Sequence, residues 1–490
     1  MLEKLSLKKK VSKSEYNDIM DDLGARLGEI QRRAREAKRP IIIVFEGWNG
    51  VRRSEIINKM MQQMDARGFN VYSSVRINEE KMGQPIFTFF WQHLPALGNI
   101  AVYHRSWYYL KRMLEDTPDH KTCKDCKITF EHINNFEKEL TDDNYIILKY
   151  FLHISPEKQK KNLERNEKTL GKAWKDVRGV YDDSEDYDDF LKHYEKMLEA
   201  TDTAYAPWHL ISAEDCRSAQ VDIFKSIVEN VERVLERGPR EQELLIRPAA
   251  VYDVLSKVNA QQELSKDEYK ETLEKYQARM AQLQIEMYKA GIPTVIGFEG
   301  WDAAGKGGAI RRLTAAMDPL GYHVHPVAAP NVVERNFHYL WRFWINLPLP
   351  GNVAIFDRTW YGRVMVERIE GFAKPHEWQR AYDEIKDMEA QWTEHGIAIA
   401  KFWLQIDKDE QLRRFNERQA NPQKQWKITD EDWRNREKWG AYEEAVNEML
   451  VRTDTSYAPW TIVEGNNKYY ARLKVLKTVI DLFEKKLGRD

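Results

Sequence analysis

The chain repeats itself, and a repeat is the strongest constraint a sequence places on its own fold. Ser12-Lys13-x-Glu15-Tyr16 recurs as Ser265-Lys266-x-Glu268-Tyr269, an offset of 253 in a chain of 490 residues. At the same offset Phe45-Glu46-Gly47-Trp48 matches Phe298-Glu299-Gly300-Trp301, and Phe90-Trp91-x-x-Leu94-Pro95 matches Phe343-Trp344-x-x-Leu347-Pro348. Arg105-x-Trp107-Tyr108 likewise matches Arg358-x-Trp360-Tyr361. After a one-residue slip, Trp174-Lys175 pairs with Trp426-Lys427, and Thr201-Asp202-Thr203 with Thr453-Asp454-Thr455. Matches in register over this length mean two copies of one domain, the first over 1–240 and the second over 241–490. The join is expected near 238–248, where turn residues interrupt the periodic segments. The length is ample for two cores.

Each copy opens with apolar residues at helical spacing, over 15–38 and 268–290, and Pro40 and Pro293 then mark the turn into a strand. Strand-like runs follow at 41–45, 101–103 and 146–154, and again at 294–298, 353–356, 398–406 and 460–463. Such alternation predicts an α/β chain of tandem domains, each a parallel sheet flanked by helices, with ligand at the C-terminal strand ends.

Apolar residues at 42% and charged ones at 31% describe a soluble globular chain. A net charge of −2 argues against wholesale nucleic-acid binding, although the 76 lysines and arginines can still cluster locally. Residues 1–10 are dotted with lysines and lack an apolar core, so no secretory signal is expected, and no run is long enough to span a membrane. Three cysteines fit a reducing compartment, the cytoplasm. Cys123 and Cys126 form a CxxC with His120 and His132 nearby; with only one such pair, in charged surroundings, they read as ordinary surface residues.

The chemistry concentrates in the second copy. The apolar run 294–298 leads into Gly300-x4-Gly305-Lys306-Gly307-Gly308 and then a helix, the arrangement of a phosphate cradle. Glycines let loop amides of Gly300, Ala303, Ala304, Gly305, Gly307 and Gly308 turn toward phosphate oxygens, while the helix dipole and Lys306 supply positive charge. Gly307 stands where a Mg²⁺-binding Ser or Thr is usual, so any metal needs other hard oxygen ligands, with Asp302 the first candidate. The apolar run 353–356 ends in Asp357, as expected for a second such ligand. Arg358 and Arg363 follow it; Arg413, Arg414 and Arg418 fall on a predicted lid helix, and Lys424 and Lys427 come after it. Arg414 and Arg418 are four apart and share a face.

In the first copy Asn49 replaces Asp302, Arg52 replaces Gly305, Arg53 replaces Lys306, His104 replaces Asp357 and Phe89 replaces Arg342. Acid, base and glycine are lost there while the apolar framework persists. The first copy is therefore expected to be degenerate and non-catalytic, and the second catalytic.

These motifs, with Asp357-Arg358-Thr359-Trp360-Tyr361 and Lys424-x-Trp426-Lys427, resemble the family-2 polyphosphate kinases over nearly the whole chain. The worn first copy and intact second are similar to the two-domain class of that family. The resemblance implies a P-loop kinase fold with a helical lid, Mg²⁺ dependence, and phosphoryl transfer from inorganic polyphosphate to AMP. It implies that Lys306 and the loop hold phosphate, Asp302 and Asp357 bind Mg²⁺ or orient the acceptor, Arg358, Arg414 and Arg418 stabilise the moving charge, and Lys424 and Lys427 line the polyanion path. Arg342 and Arg363 join the expected phosphate-binding set. Two other readings stay open: an ATP-dependent nucleotide kinase of the same fold, and a non-enzymatic polyphosphate or nucleotide sensor. Homo-oligomer formation is also open.

Overall fold

A computed structural model describes residues 1–74, 83–116, 128–171, 187–238 and 252–489. The CxxC at Cys123 and Cys126, with His120, lies outside the described residues, as do Trp174, Lys175 and 239–251 of the join. The chain divides into two compact units: Met1–Met82, Ile86–Gln242 and Val332–Trp341 form one; Gly83–Pro85, Glu243–Asn331 and Arg342–Asp490 form the other.

The repeated Ser-Lys-x-Glu-Tyr motif is a helix start. Ser12 accepts a hydrogen bond from the Glu15 amide at 3.2 Å, and helix α1 (Lys13–Glu36) runs from it. Ser265 and Glu268 form a reciprocal capping box, the two amide bonds measuring 3.3 and 3.1 Å, ahead of a long second-copy helix, Lys266–Ala290. Such a cap satisfies amides that have no partner within the first turn.

In the first unit β1 (Ile41–Gly47), β2 (Phe69–Tyr72), β3 (Ile100–Tyr103), β4 (Ile146–His153) and β5 (Trp208–Ser212) lie in the order β2-β3-β1-β4-β5, every pair parallel. The second unit repeats this arrangement as β7-β8-β6-β9-β10, with β6 (Thr294–Gly300), β7 (Tyr322–Pro326), β8 (Val353–Asp357), β9 (Ala398–Gln405) and β10 (Trp460–Glu464). The central strands β1, β4 and β9 are buried throughout, and β6 up to Gly300, as strands covered by helices on both faces must be. Edge strands β2 and β7 are short and half-exposed; sequence periodicity did not reveal them.

Each sheet carries the same buried ion pair. Lys401 Nζ donates to Glu389 Oε2, the Tyr361 hydroxyl and Thr453 O, while Trp360 Nε1 and Tyr361 Oη donate to the other Glu389 oxygen. Lys149, Glu137, Tyr108, Trp107 and Thr201 repeat it in the first unit. Burial pushes both lysines below their ordinary pKa, and the paired carboxylate opposes the shift. A buried charge pair persists only when its remaining donors and acceptors are satisfied, as they are here.

Candidate active site

Register places the site. Phe298 pairs with Asp357 and Gly300 with Leu404, so the loop after β6 emerges beside the end of β8. Gly300 has φ +151°, and a Cβ there would lie 2.6 Å from Leu404 O, so only glycine fits this close approach. Trp301 then turns inward, donating to Gln405 Oε1 at 2.9 Å and stacking on Trp439 at 3.7 Å. Ala303 and Gly305 take left-handed conformations, and α2 (Lys306–Thr314) begins directly behind them. Lys306 Nζ docks on the loop's own carbonyls, Gly300 O at 2.6 Å and Trp301 O at 3.3 Å, beside loop amides and a helix N-terminus suited to phosphate.

Asp302 faces this loop. Its Oδ2 accepts from Asn435 on the lid helix α4 (Asp430–Glu437) at 2.9 Å, and Arg358 Nη2 lies 3.5 Å from Oδ1. Gln411, on the preceding lid helix α3 (Lys408–Ala420), donates to Asp302 O at 3.1 Å, so both lid helices grip the loop. Arg358 has φ +68° and its amide donates to Phe298 O at 3.0 Å. Burial works against its charge, but Asp302 and Glu299 outweigh that and hold its pKa above the ordinary value. Buried Glu299 accepts from the Thr359 amide at 2.7 Å and its hydroxyl at 2.8 Å, clamping the 357–359 exit onto β6. Burial raises the Glu299 pKa, and the Lys306 charge opposes it. Sequence reasoning missed this residue; its signal was an acid inside an apolar strand of both copies, where Glu46 holds Ser106 in the same way.

The Asp357 carboxylate makes no hydrogen bond or close ion pair among the described residues, and Asp302 Oδ1 has only the long contact to Arg358. No group of three or more His, Cys, Asp or Glu residues that could hold a metal occurs among the described residues. Carboxylates are hard oxygen donors of the kind a divalent cation such as Mg²⁺ takes alongside water and substrate phosphate; Asp357 lines neither of the two cavities beside the loop.

Two cavities border the loop. One, of about 80 Å³, has Asp302, Lys306 and Arg358 facing an apolar wall that includes Trp301, Met365 and Tyr442. The other, of about 210 Å³, lies against Ala303, Ala304, Gly305 and Gly308. It carries Arg414, Arg418, Lys424, Lys427, Lys468 and Arg472 against one carboxylate, Glu417. Lys468 and Arg472 were also missed: they come from a helix beyond the last strand, without a motif, four residues apart on one face.

Arg414, expected to stabilise the moving charge, and Arg342 and Arg363, expected to bind phosphate, are engaged by other partners. Arg414 is 3% exposed and sits behind the loop, donating to Ala303 O, Ala304 O, Gly465 O and Asn466 O at 2.6–3.1 Å and pairing with Glu410. Every donor direction of its guanidinium is used, so it buttresses the loop rather than reaching a moving phosphoryl group. Arg342 donates to Ala328 O at 2.8 Å and Arg363 pairs with Glu367 at 3.0 Å. Both line neither cavity, because local carbonyl and carboxylate partners hold them elsewhere.

The first copy's loop is rebuilt. Arg52, at the position of Gly305, has φ −81° in place of +113°. Arg53 Nη2 donates to Gly47 O at 2.9 Å, as Lys306 does to Gly300 O. Asn49 accepts from Arg105, and His104 Nε2 lies 3.1 Å from Ser54 Oγ.

The family model for polyphosphate kinase 2 matches residues 10–238 and 263–489. The chain belongs to the polyphosphate kinase 2 family. Within it, the chain is 39% identical to the polyphosphate:AMP phosphotransferase of Pseudomonas aeruginosa, covering 100% of both chains. It is 33% identical to the protein of the same name from Acinetobacter johnsonii, over 94% of each. A crystal structure of a Pseudomonas aeruginosa PA01 protein described as polyphosphate kinase 2 superposes with a TM-score of 0.86 at 37% identity, over 100% of this chain and 99% of that one.

Proposed function

We propose that this chain transfers the terminal phosphoryl group of inorganic polyphosphate to AMP, giving ADP, and that its second copy performs the chemistry. The pair of cavities flanking one phosphate loop carries this reading. A cavity with five cations besides the loop-bound Arg414, against one carboxylate, suits a long polyanion, whose charge it neutralises along its length. A cavity joining an apolar and aromatic wall to Asp302, Lys306 and Arg358 suits a nucleoside monophosphate. Full-length relatives named for the same reaction support the choice of donor and acceptor.

Lys306 and the loop amides hold the phosphoryl group in line between the two substrates. An oxygen of the AMP phosphate forms the new bond to the terminal phosphorus. The bridging P–O bond of the donor breaks, and the shortened polyphosphate leaves with the bonding electrons. The attacking oxygen is already ionised, so positioning and charge stabilisation matter more than a strong base. Arg358 and Arg418 meet the charge spreading over the phosphoryl oxygens, while Arg414 keeps the loop in shape. Lys424 and Lys427, joined by Lys468 and Arg472, guide the donor chain. Asp302 and Asp357 would hold Mg²⁺, which would supply neutralisation of the charge on the phosphates.

The reaction belongs in the cytoplasm, where nucleoside monophosphates occur. No helix among the described residues is long and apolar enough to cross a membrane. The protein, given AMP, Mg²⁺ and polyphosphate, forms ADP; with ATP in place of polyphosphate it does not. ADP produced only from ATP overturns the donor assignment.

A further inference from the structure

The first copy has a cavity of its own. It measures about 470 Å³ and lies between the rebuilt loop at 49–55 and Arg165 on the helix Pro156–Leu170. Four guanidinium groups, from Arg52, Arg53, Arg105 and Arg165, face it against a single carboxylate, Glu55. That carboxylate is engaged, because Arg52 pairs with it and Cys216 Sγ donates to it at 3.7 Å. Arg53 and Arg105 are 4% and 5% exposed, and their bonds to Gly47 O and Asn49 Oδ1 set their guanidinium groups in the wall. Fixed cations in a partly desolvated wall concentrate the field on an anion and lose little entropy on binding one.

The same wall is unsuited to the chemistry of the second copy. Asn49 and His104 stand where Asp302 and Asp357 would hold a cation, and neither is a good Mg²⁺ ligand. We propose that the first copy is a metal-independent binding site for an oligophosphate chain, which it holds without transferring. The anion preference follows from this cavity alone; the choice of an oligophosphate rests on the function proposed above.

The test is calorimetric titration of tripolyphosphate into the full chain in EDTA, with AMP as a second arm. The wild type binds tripolyphosphate at two sites. Arg52→Glu/Arg165→Glu, at two exposed positions and with folding checked by its melting profile, weakens one site by about a hundredfold, roughly tenfold for each charge-assisted hydrogen bond removed. Arg418→Glu/Lys427→Glu weakens the other site and leaves this one. AMP gives no heat that depends on Arg52 and Arg165. Two undiminished sites in Arg52→Glu/Arg165→Glu, or a single wild-type site that disappears with Arg418→Glu/Lys427→Glu, overturn the proposal. Absence of ADP formation would count against the proposed function and leaves this binding readout unchanged.

Discussion

Arg414→Ala separates a buttress from a phosphate ligand. The guanidinium bonds four backbone carbonyls and Glu410, from a side chain 3% exposed. Deleting it strands those carbonyls, while Glu410 keeps its pairing with Arg413. Leaving several buried acceptors without a donor, at about 1–3 kcal/mol each before relaxation, costs about 3–5 kcal/mol in all. For a domain of this size that corresponds to a fall in Tm on the order of 10 °C. Arg414→Lys recovers little, because one ammonium cannot span carbonyls on both sides of the loop. Arg418 makes one side-chain bond, to Lys427 O at 3.0 Å, so Arg418→Ala leaves stability within about 0.5 kcal/mol while slowing transfer. Calorimetric melting alongside an ADP assay reads both effects. Arg414→Ala with a wild-type melting temperature and abolished turnover would mean that Arg414 touches the phosphoryl group directly, and the buttress reasoning would be wrong.

Other expectations follow from single features. Lys401→Met leaves Glu389 charged and buried, and costs about 3–5 kcal/mol; Lys149→Met in the first unit costs a similar amount, both read by urea unfolding. Gly305→Ala forces a Cβ onto a residue at φ +113°, at about 1–3 kcal/mol of strain, and lowers turnover in the ADP assay. Burial and the neighbouring His323 push His325 from 6.5 down to about 4. A depressed folded pKa gives stability that is present above pH 6.5 and lost as pH falls toward 4, so His325→Gln flattens the stability profile between those values. An unchanged slope would refute that assignment.

How much of this was legible depended on where each signal lies along the chain. The central strands are unbroken apolar runs, so β1, β6 and β9 were readable directly. The edge strands were not: Tyr322-His323-Val324-His325-Pro326 is half-exposed, has no apolar run, and alternates over only four residues before a proline. The phosphate loop was readable because its glycines and lysine act through local spacing. Lys468 and Arg472 reach the same cavity from a distant helix, and only folding reveals that. Helical spacing put Arg414 and Arg418 on one face; it carried no information about the Gly465 and Asn466 carbonyls that capture Arg414.

The account stands on the claim that the two acids of the second copy make it the catalytic one. Converting them to their first-copy equivalents, Asp302→Asn with Asp357→His, tests it most directly. ADP formation from AMP, polyphosphate and Mg²⁺ is predicted to fall by about a thousandfold or more, as the charge-stabilising cation loses its protein ligands. Turnover near the wild-type rate in the folded double variant would contradict it.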